Sequence, residues 1–446
     1  MARQMVMVGF LQAQNCTLHP FSWRHPESRS DFLSADYYQE IGRILERGKF
    51  QMAFFDDRLA MPDRYGLDHK HTVENGIRCV KMDPQVVLMA IAAVTEKIGL
   101  GATCSTTYYE PYHIARAFGT IDLMTNGRAG WNVVTSVNDG EAMNMGLEAG
   151  LDHDRRYDRA EEMLEVVLGH WDTWEDDALI VDKNSMRFAV GDKVHRLDHV
   201  GKYFRSRGPL TVPRSAQGRP IIIQAGASDR GLDLGARYAD VIFGASSEVE
   251  SGKAVYADIK SRVSNFGRNP DHVSICIPVH TVVAETKTAA EDKMAVLQSL
   301  VREIDQLSLL AEGLNLDLSS WDLDKDMTDE QISEISGFKG IRDMVIRDTG
   351  KSNPSLRDFL KHTPRGRPDG AFVGGPREIA DRLEELFTER VCDGFVLAAT
   401  HVPGSYADFV QYVVPELQRR GLFHKEYSGS TLRENLGIPW PATRHS

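Results

Sequence analysis

The 446-residue sequence predicts a (β/α)8 barrel with several insertions. Three observations lead there. Eight short apolar runs rich in β-branched residues recur along the chain. Helical patterns fall between them. Several of the runs also lack in/out alternation, as strands of a parallel sheet do when both faces are buried. A doubly wound sheet is the alternative arrangement of the same elements.

In chain order the strands are expected at 5–11, 52–55, 98–103, 130–135, 220–224, 241–244, 274–282 and 394–398. Helices are expected at 37–49, 84–97, 155–171, 230–238, 377–390 and 405–420. The first places Tyr38, Ile41, Ile44 and Leu45 at helical spacing, and the second starts with Asp83-Pro84, a cap residue before a first-turn proline. The stretch 288–369 is too long for one crossover helix and reads as a helical insertion before the last strand. The stretches 139–155 and 174–219 read as further excursions, and 421–446 as a C-terminal tail. The whole is taken as one domain.

Composition narrows the function. Hydrophobic content of 42% with 26% charged residues is ordinary for a globular protein, and the net charge of -12 argues against a general nucleic-acid or anionic-membrane surface. Cys16, Cys79, Cys104, Cys276 and Cys392 are odd in number and widely spaced. They form neither a disulfide framework nor a CxxC metal signature, so a reduced, cytoplasmic setting is expected. "MARQMVMVGFL" has no signal-peptide pattern, and no apolar run approaches the roughly 18 residues of a membrane helix.

A parallel barrel places its site at the C-terminal ends of its strands. Those ends here read Asp56-Asp57-Arg58, Thr103-Cys104-Ser105-Thr106, Thr135-Ser136 and Gln224-Ala225-Gly226-Ala227-Ser228. They are rich in hydroxyls, amides and carboxylate and poor in metal ligands. In "QAGASDRG", Ser228 opens a helix whose free N–H groups suit a phosphate, although serine is also the commonest N-cap. His153 and Tyr157 are one helical turn apart beside Arg155 and Arg156, a set that suits a phosphate or a solvated first turn. His69 and His71 raise a metal question, but they follow the second strand rather than the first, and no catalytic metal is expected. No P-loop, nucleophile elbow or G-x-G-x-x-G after a strand is present, so no built-in nicotinamide domain is expected.

The segments "ERGKFQMAFFDD", "TYYEPYHIARAFGTIDLMTNGRAGWNVVTS", "LDHDRRYDRAEEMLEVV", "RGPLTVPRSAQGRPIIIQAGASDRG" and "VVPELQRRGLFHKEYSGSTLRENLG" together resemble the nitrilotriacetate monooxygenase component A and dibenzothiophene-sulfone monooxygenase family. These are bacterial-luciferase-like flavin enzymes. The resemblance runs from about Met5 to Gly437 and implies a luciferase-like barrel using FMN, as FMNH2, with O2 as co-substrate. It implies a separate NAD(P)H:flavin reductase as partner and a homodimer or homotetramer. Carried over residue by residue, it implies flavin contacts from Asp57, Thr103, His153, Tyr157 and Ser228, with Asn132 and Thr103 as catalytic residues lining an oxygen pocket. Asn15, Tyr65, Tyr108 and His113 are candidate substrate contacts, and Arg58 and Arg64 suit an anionic substrate. "FSWRHPESRSDFLSADYY" and "TSVND" resemble the sulfone-type branch more than the aminopolycarboxylate one. The rival readings are a deazaflavin (F420)-dependent oxidoreductase on the same barrel, a non-catalytic flavin-binding protein and a metal-dependent hydrolase.

Overall fold

The computed structural model describes residues 3–445 apart from 245–247, 338 and 364–365. Eight parallel strands close on themselves: β1 Val6–Leu11, β2 Met52–Phe55, β3 Gly99–Ser105, β4 Ala129–Val134, β5 Ile221–Gln224, β6 Val241–Phe243, β7 Ser274–Val283 and β8 Gly394–Ala398. Each pairs with its sequence neighbour, and β8 pairs with β1 to complete the barrel. The doubly wound alternative is thereby excluded.

Period-2 alternation sorts the side chains. Val6, Val8, Met52, Phe54, Ile221, Ile223, Val241, Cys276 and Val396 fill the barrel interior as one buried cluster. Gly101 and Gly130 face the same interior, where a Cβ on either would press on Ile223 at 3.2 Å. Outward-facing residues such as Leu100, Ala102, Trp131 and Ile222 join the larger core beneath the helices.

The helices start where their caps dictate. Ser34 caps α1 (Ala35–Arg47), and Asp83 before Pro84 caps α2 (Pro84–Ala92). α3 spans Pro111–Met124. Asp152 caps α4 (His153–Trp171), and Ser228 caps α5 (Asp229–Tyr238). The last helical stretch, 404–419, carries a π turn at Phe409–Val413, just ahead of Pro415, which lacks the N–H that a regular helix would use.

Two excursions carry structure that the strand pattern does not announce. The segment after α4 forms two small antiparallel hairpins, Leu179–Asp182 with Arg187–Ala189 and His199–Val200 with Arg205–Ser206. Between β7 and β8 lie helices Lys287–Ser299, Glu303–Leu314, Asp329–Ser333, Lys339–Thr349 and Leu356–His362. Leu307, Leu310, Leu314, Met327, Val345, Phe359 and their neighbours make a core of their own there. A short strand, Phe372–Gly374, then extends the outer end of β7. Among the described residues no helix is long and apolar enough to cross a membrane.

Candidate active site

The C-terminal mouth of the barrel collects the polar strand ends. Thr103 on β3 faces the interior and donates its hydroxyl proton to the Phe55 carbonyl at 3.0 Å. The same oxygen accepts from Asn132 Nδ2 on β4 at 2.9 Å. A threonine has one hydroxyl proton, and a carbonyl can only accept. The amide of Asn132 must therefore present its nitrogen to Thr103 and its oxygen elsewhere. Asn132 Oδ1 is buried and has no partner among the described residues. Phe54, which pairs with Gly101, lies one side-chain layer below Thr103. Its ring touches Phe10 (centroids 5.7 Å apart) and Phe243 (4.9 Å), and both of these are only half-buried.

Two adjacent carboxylates end β2 and differ in environment. Asp56 is tied down, pairing with Lys81 at 2.5 Å and accepting from Gln12 at 2.8 Å. Among the described residues Asp57 accepts only from the backbone N–H of Arg58 (2.8 Å). Burial pushes its carboxyl up to about 7, against the lowering pull of Lys81 and of that backbone N–H. The folded form thus holds the proton more tightly than the unfolded chain. Stability from this group is present at low pH and is lost as pH rises through about 7. Asp57→Asn is expected to raise the melting temperature at pH 8 and to leave it nearly unchanged at pH 4. Equal effects at both pH values would refute this.

The opposite side of the mouth is built from α4 and the turn into α5. Ser228 Oγ accepts from Gly231 N (3.2 Å) and lies 3.3 Å from Tyr157 OH. Gly226 and Gly231 let the turn close over that phenol, and a Cβ on Gly231 would come within 2.8 Å of Tyr157 OH. The turn itself, with Ala225, Ala227 and Asp229, is exposed at the positive end of α5. His153 is half-exposed, pairs with Asp154 at 3.0 Å and packs its ring 4.9 Å from that of Tyr157. Arg156 donates to the Ser136 carbonyl at 2.9 Å and leaves its Nε buried without a partner. Thr107 Oγ1 and Tyr108 OH are likewise orphaned. The Tyr108 phenol is pushed up to about 12 by burial first and then by Glu141.

Comparison with known proteins now places this barrel. A family model described as luciferase-like monooxygenase matches residues 15–394. The chain belongs to the luciferase-like monooxygenase family. It is 41% identical to the dibenzothiophene-sulfone monooxygenase of Rhodococcus erythropolis, with 98% of each chain covered. It is 39% identical to nitrilotriacetate monooxygenase component A of Aminobacter aminovorans, covering 99% of this chain and 98% of the other. Among solved structures it resembles a riboflavin lyase determined with modified FMN and riboflavin. That match has a TM-score of 0.88 and 33% identity and covers 99% of this chain and 98% of the other. The chain is accordingly an enzyme of the monooxygenase class.

In this luciferase-like monooxygenase the expected flavin residues form two groups on the mouth. Thr103 and Asn132 touch each other, as do His153, Tyr157 and Ser228. Asp57 stands apart, at the end of β2. The expected substrate residues are more scattered. Asn15 donates to the Gly76 carbonyl at 2.8 Å, leaving its oxygen orphaned. Tyr65 packs against the core of the helical insertion and edge-on to His71. His113 is exposed on α3, stacked 6.0 Å from Tyr109. Arg58 and Arg64, suggested by their charge for an anionic substrate, are both engaged in ion pairs. Arg58 pairs with Glu312 at 3.1 Å and Arg64 with Asp139 at 3.2 Å.

One pair at the mouth escapes the sequence reading. His19 Nε2 lies 3.2 Å from His280 Nδ1. His280 sits on β7 level with Ala398, the last residue of β8, and shares the inward parity of Cys276 and Pro278. Burial drives His280 down to about 4 and His19 well below its ordinary value. Both rings are therefore neutral at physiological pH, one donating and one accepting. The available signal was a proline and a histidine, both inward-facing, inside an otherwise apolar β-branched run.

Proposed function

We propose that this chain is the oxygenase of a two-component system that uses FMNH2 and O2 to oxygenate a small apolar substrate, a sulfone or aromatic xenobiotic, with cleavage of a C–S, C–N or C–halogen bond. The observation that carries this reading is the set of orphaned buried polar atoms around the mouth: Asn132 Oδ1, Thr107 Oγ1, Tyr108 OH and Arg156 Nε. Buried polar atoms are nearly always paired, so a bound polar molecule fits here. Its phosphate end fits Tyr157, His153 and the exposed Ser228 turn, and its ring end fits Asn132, Thr103 and Asp57. Reduced FMN, when bound, supplies the electrons for O2 activation.

The side chains then divide the remaining work. Asn132 offers an acceptor and would favour a ring N–H, a donor that reduced flavin has in excess over oxidised flavin. Asp57, with its carboxyl near 7, can hold or release a proton at the ring's edge. The insertion between β7 and β8 covers the mouth through Glu312, which accepts from the backbone N–H groups of Asp63 and Arg64 and pairs with Arg58. Such a cover keeps water from the reacting atoms.

The half-buried rings of Phe10 and Phe243 and the pairing of Arg58 and Arg64 favour an apolar substrate over a polycarboxylate, which would need unpaired cations. A separate NAD(P)H:flavin reductase is the proposed partner, supported by the sequence's lack of a nicotinamide-binding fingerprint and by the likeness to a "component A". A homodimer or homotetramer in the cytoplasm completes the reading.

The test is anaerobic titration with FMNH2 followed by an oxygen pulse, with dibenzothiophene sulfone as probe. Binding of FMNH2, slowed reoxidation and a fall in hydrogen peroxide yield with the sulfone are expected. Reoxidation at the free-solution rate would sink the proposal. Gly231→Ala is expected to weaken FMNH2 binding by about tenfold or more, about 1.4 kcal/mol. Alanine ordinarily stabilises a helix, so the sign rests on its Cβ meeting the Tyr157 hydroxyl. The same titration checks it, and an unchanged affinity would show that the turn does not hold the phosphate.

A further inference from the structure

His25 and Glu27 lie in the loop after β1, and His401 lies in the loop after β8. The seam where β8 pairs with β1 brings these distant segments together. The His25 and His401 rings stack with centroids 3.9 Å apart and planes 20° apart. Glu27 Oε2 is 3.4 Å from His401 Nε2. One ligating atom from each of the three groups lies within 4.8 Å of the other two. His401 is only 4% exposed, and its Nε2 has no hydrogen-bond partner among the described residues.

We propose that His25, Glu27 and His401 bind one divalent transition-metal ion of the zinc class, clamping the barrel seam at the mouth. Two imidazoles and one carboxylate are a borderline donor set that suits Zn(II) and its neighbours. A tetrahedral ion with bonds of about 2.0–2.1 Å holds its ligand atoms about 3.3 Å apart. The Glu27–His401 separation already matches this, whereas the His25 ring must swing out of its 3.9 Å stack, because two imidazoles on one tetrahedral ion place their centroids about 5 Å apart.

The lone pair of the neutral His25 ring is on Nδ1, which in the metal-free chain accepts from the Glu27 backbone N–H at 3.2 Å, so the ion takes Nδ1 and displaces that hydrogen bond. Burial keeps both histidines neutral, with His401 lowered to about 3, so their lone pairs are available. The nearby cation Lys293 is offset by Asp408 at 2.5 Å. Gly404 keeps the space open. A Cβ there would collide with His401 Nε2 and come within 3.5 Å of Glu27 Oε2. The Glu27 side chain is 64% exposed, which leaves room for water as a fourth ligand. The metal expected to be absent from the sequence was a catalytic one at His69 and His71. The ion proposed here is structural, and it does not rest on the flavin reading.

Untagged full-length protein, stripped with EDTA, would be titrated with Zn2+ by calorimetry and with Co2+ by visible absorption. One ion per chain with submicromolar affinity and tetrahedral Co2+ bands are expected. Glu27→Gln, at an exposed position that the fold tolerates, is expected to weaken binding at least tenfold. Gly404→Ala and His401→Gln are expected to abolish it, and His69→Gln to leave it unchanged. The absence of one-to-one binding overturns the proposal. So does an affinity that Glu27→Gln and Gly404→Ala both leave intact, because the ion would then sit elsewhere.

Discussion

Thr103→Val is expected to lower single-turnover product formation by about 100-fold or more, while the protein stays folded. The loss comes from one hydroxyl with two duties. It donates to the Phe55 carbonyl at 3.0 Å and accepts from Asn132 Nδ2 at 2.9 Å. Valine keeps the shape and removes both bonds. Each group left unpaired in the buried site costs about 1–3 kcal/mol, and the cheapest relief is rotation of the Asn132 amide. Rotation turns Oδ1 away from the mouth, where the proposed reading needs an acceptor. Thr103→Ser keeps the hydroxyl and is expected to stay within a fewfold of the native rate. Asn132→Leu is expected to lose as much as Thr103→Val, because Thr103 acts through the amide. The measurement is product per FMNH2 consumed, with hydrogen peroxide counted beside it. A serine variant as poor as the valine variant would show that shape, not hydrogen bonding, matters at this position.

The barrel was readable because each of its strands is a largely buried run of apolar and small residues bounded by turn residues. Such runs carry their own signal whatever they later pack against. The short strand Phe372–Gly374 and the hairpins within 179–206 do not follow that rule: Leu179, Ile180 and Val181 form an apolar run, yet it stands exposed rather than buried. They are brief, and Met186 and Phe188 on one hairpin are largely exposed. The site divided along the same line. Thr103, Asn132 and Ser228 stand at the ends of strong strands and could be placed from sequence. His19, His25 and His401 stand in irregular loops, and only closure of the barrel between β1 and β8 brings the two ends of the chain together. Arg58 and Arg64 show the converse case. Their charges suggested an anion, but Glu312 and Asp139, which pair with them, lie on segments whose docking no local pattern encodes.

Asp305→Ala is expected to lower the opening free energy of the mouth's cover by about 3–5 kcal/mol. Arg24, in the loop after β1, meets Asp305 in the insertion through two bonds, Nη1 to Oδ2 at 2.6 Å and Nη2 to Oδ1 at 3.0 Å. The Asp305 side chain is fully buried and that of Arg24 is 9% exposed, so removing the carboxylate strands a guanidinium away from water. Arg24 also donates to the carbonyls of Asn75 and Leu300, which ties three segments to one cation. Hydrogen exchange over 15–28 and 303–314 measures the effect directly. Asp305 also accepts from the Arg302 N–H as part of a helix cap, and Asp305→Asn separates that duty from the charge. If the charge pair dominates, Arg24→Met combined with Asp305→Leu recovers most of the loss, since a buried pair replaced whole by apolar groups costs little. The functional consequence runs through Glu312, two turns further along the same helix, which holds Arg58, Asp63 and Arg64 over the mouth. A cover that opens more often admits water, so Asp305→Ala is expected to divert FMNH2 oxidation from product to hydrogen peroxide before any change in flavin affinity. An unchanged peroxide yield in a variant with proven faster exchange would separate the cover from the chemistry.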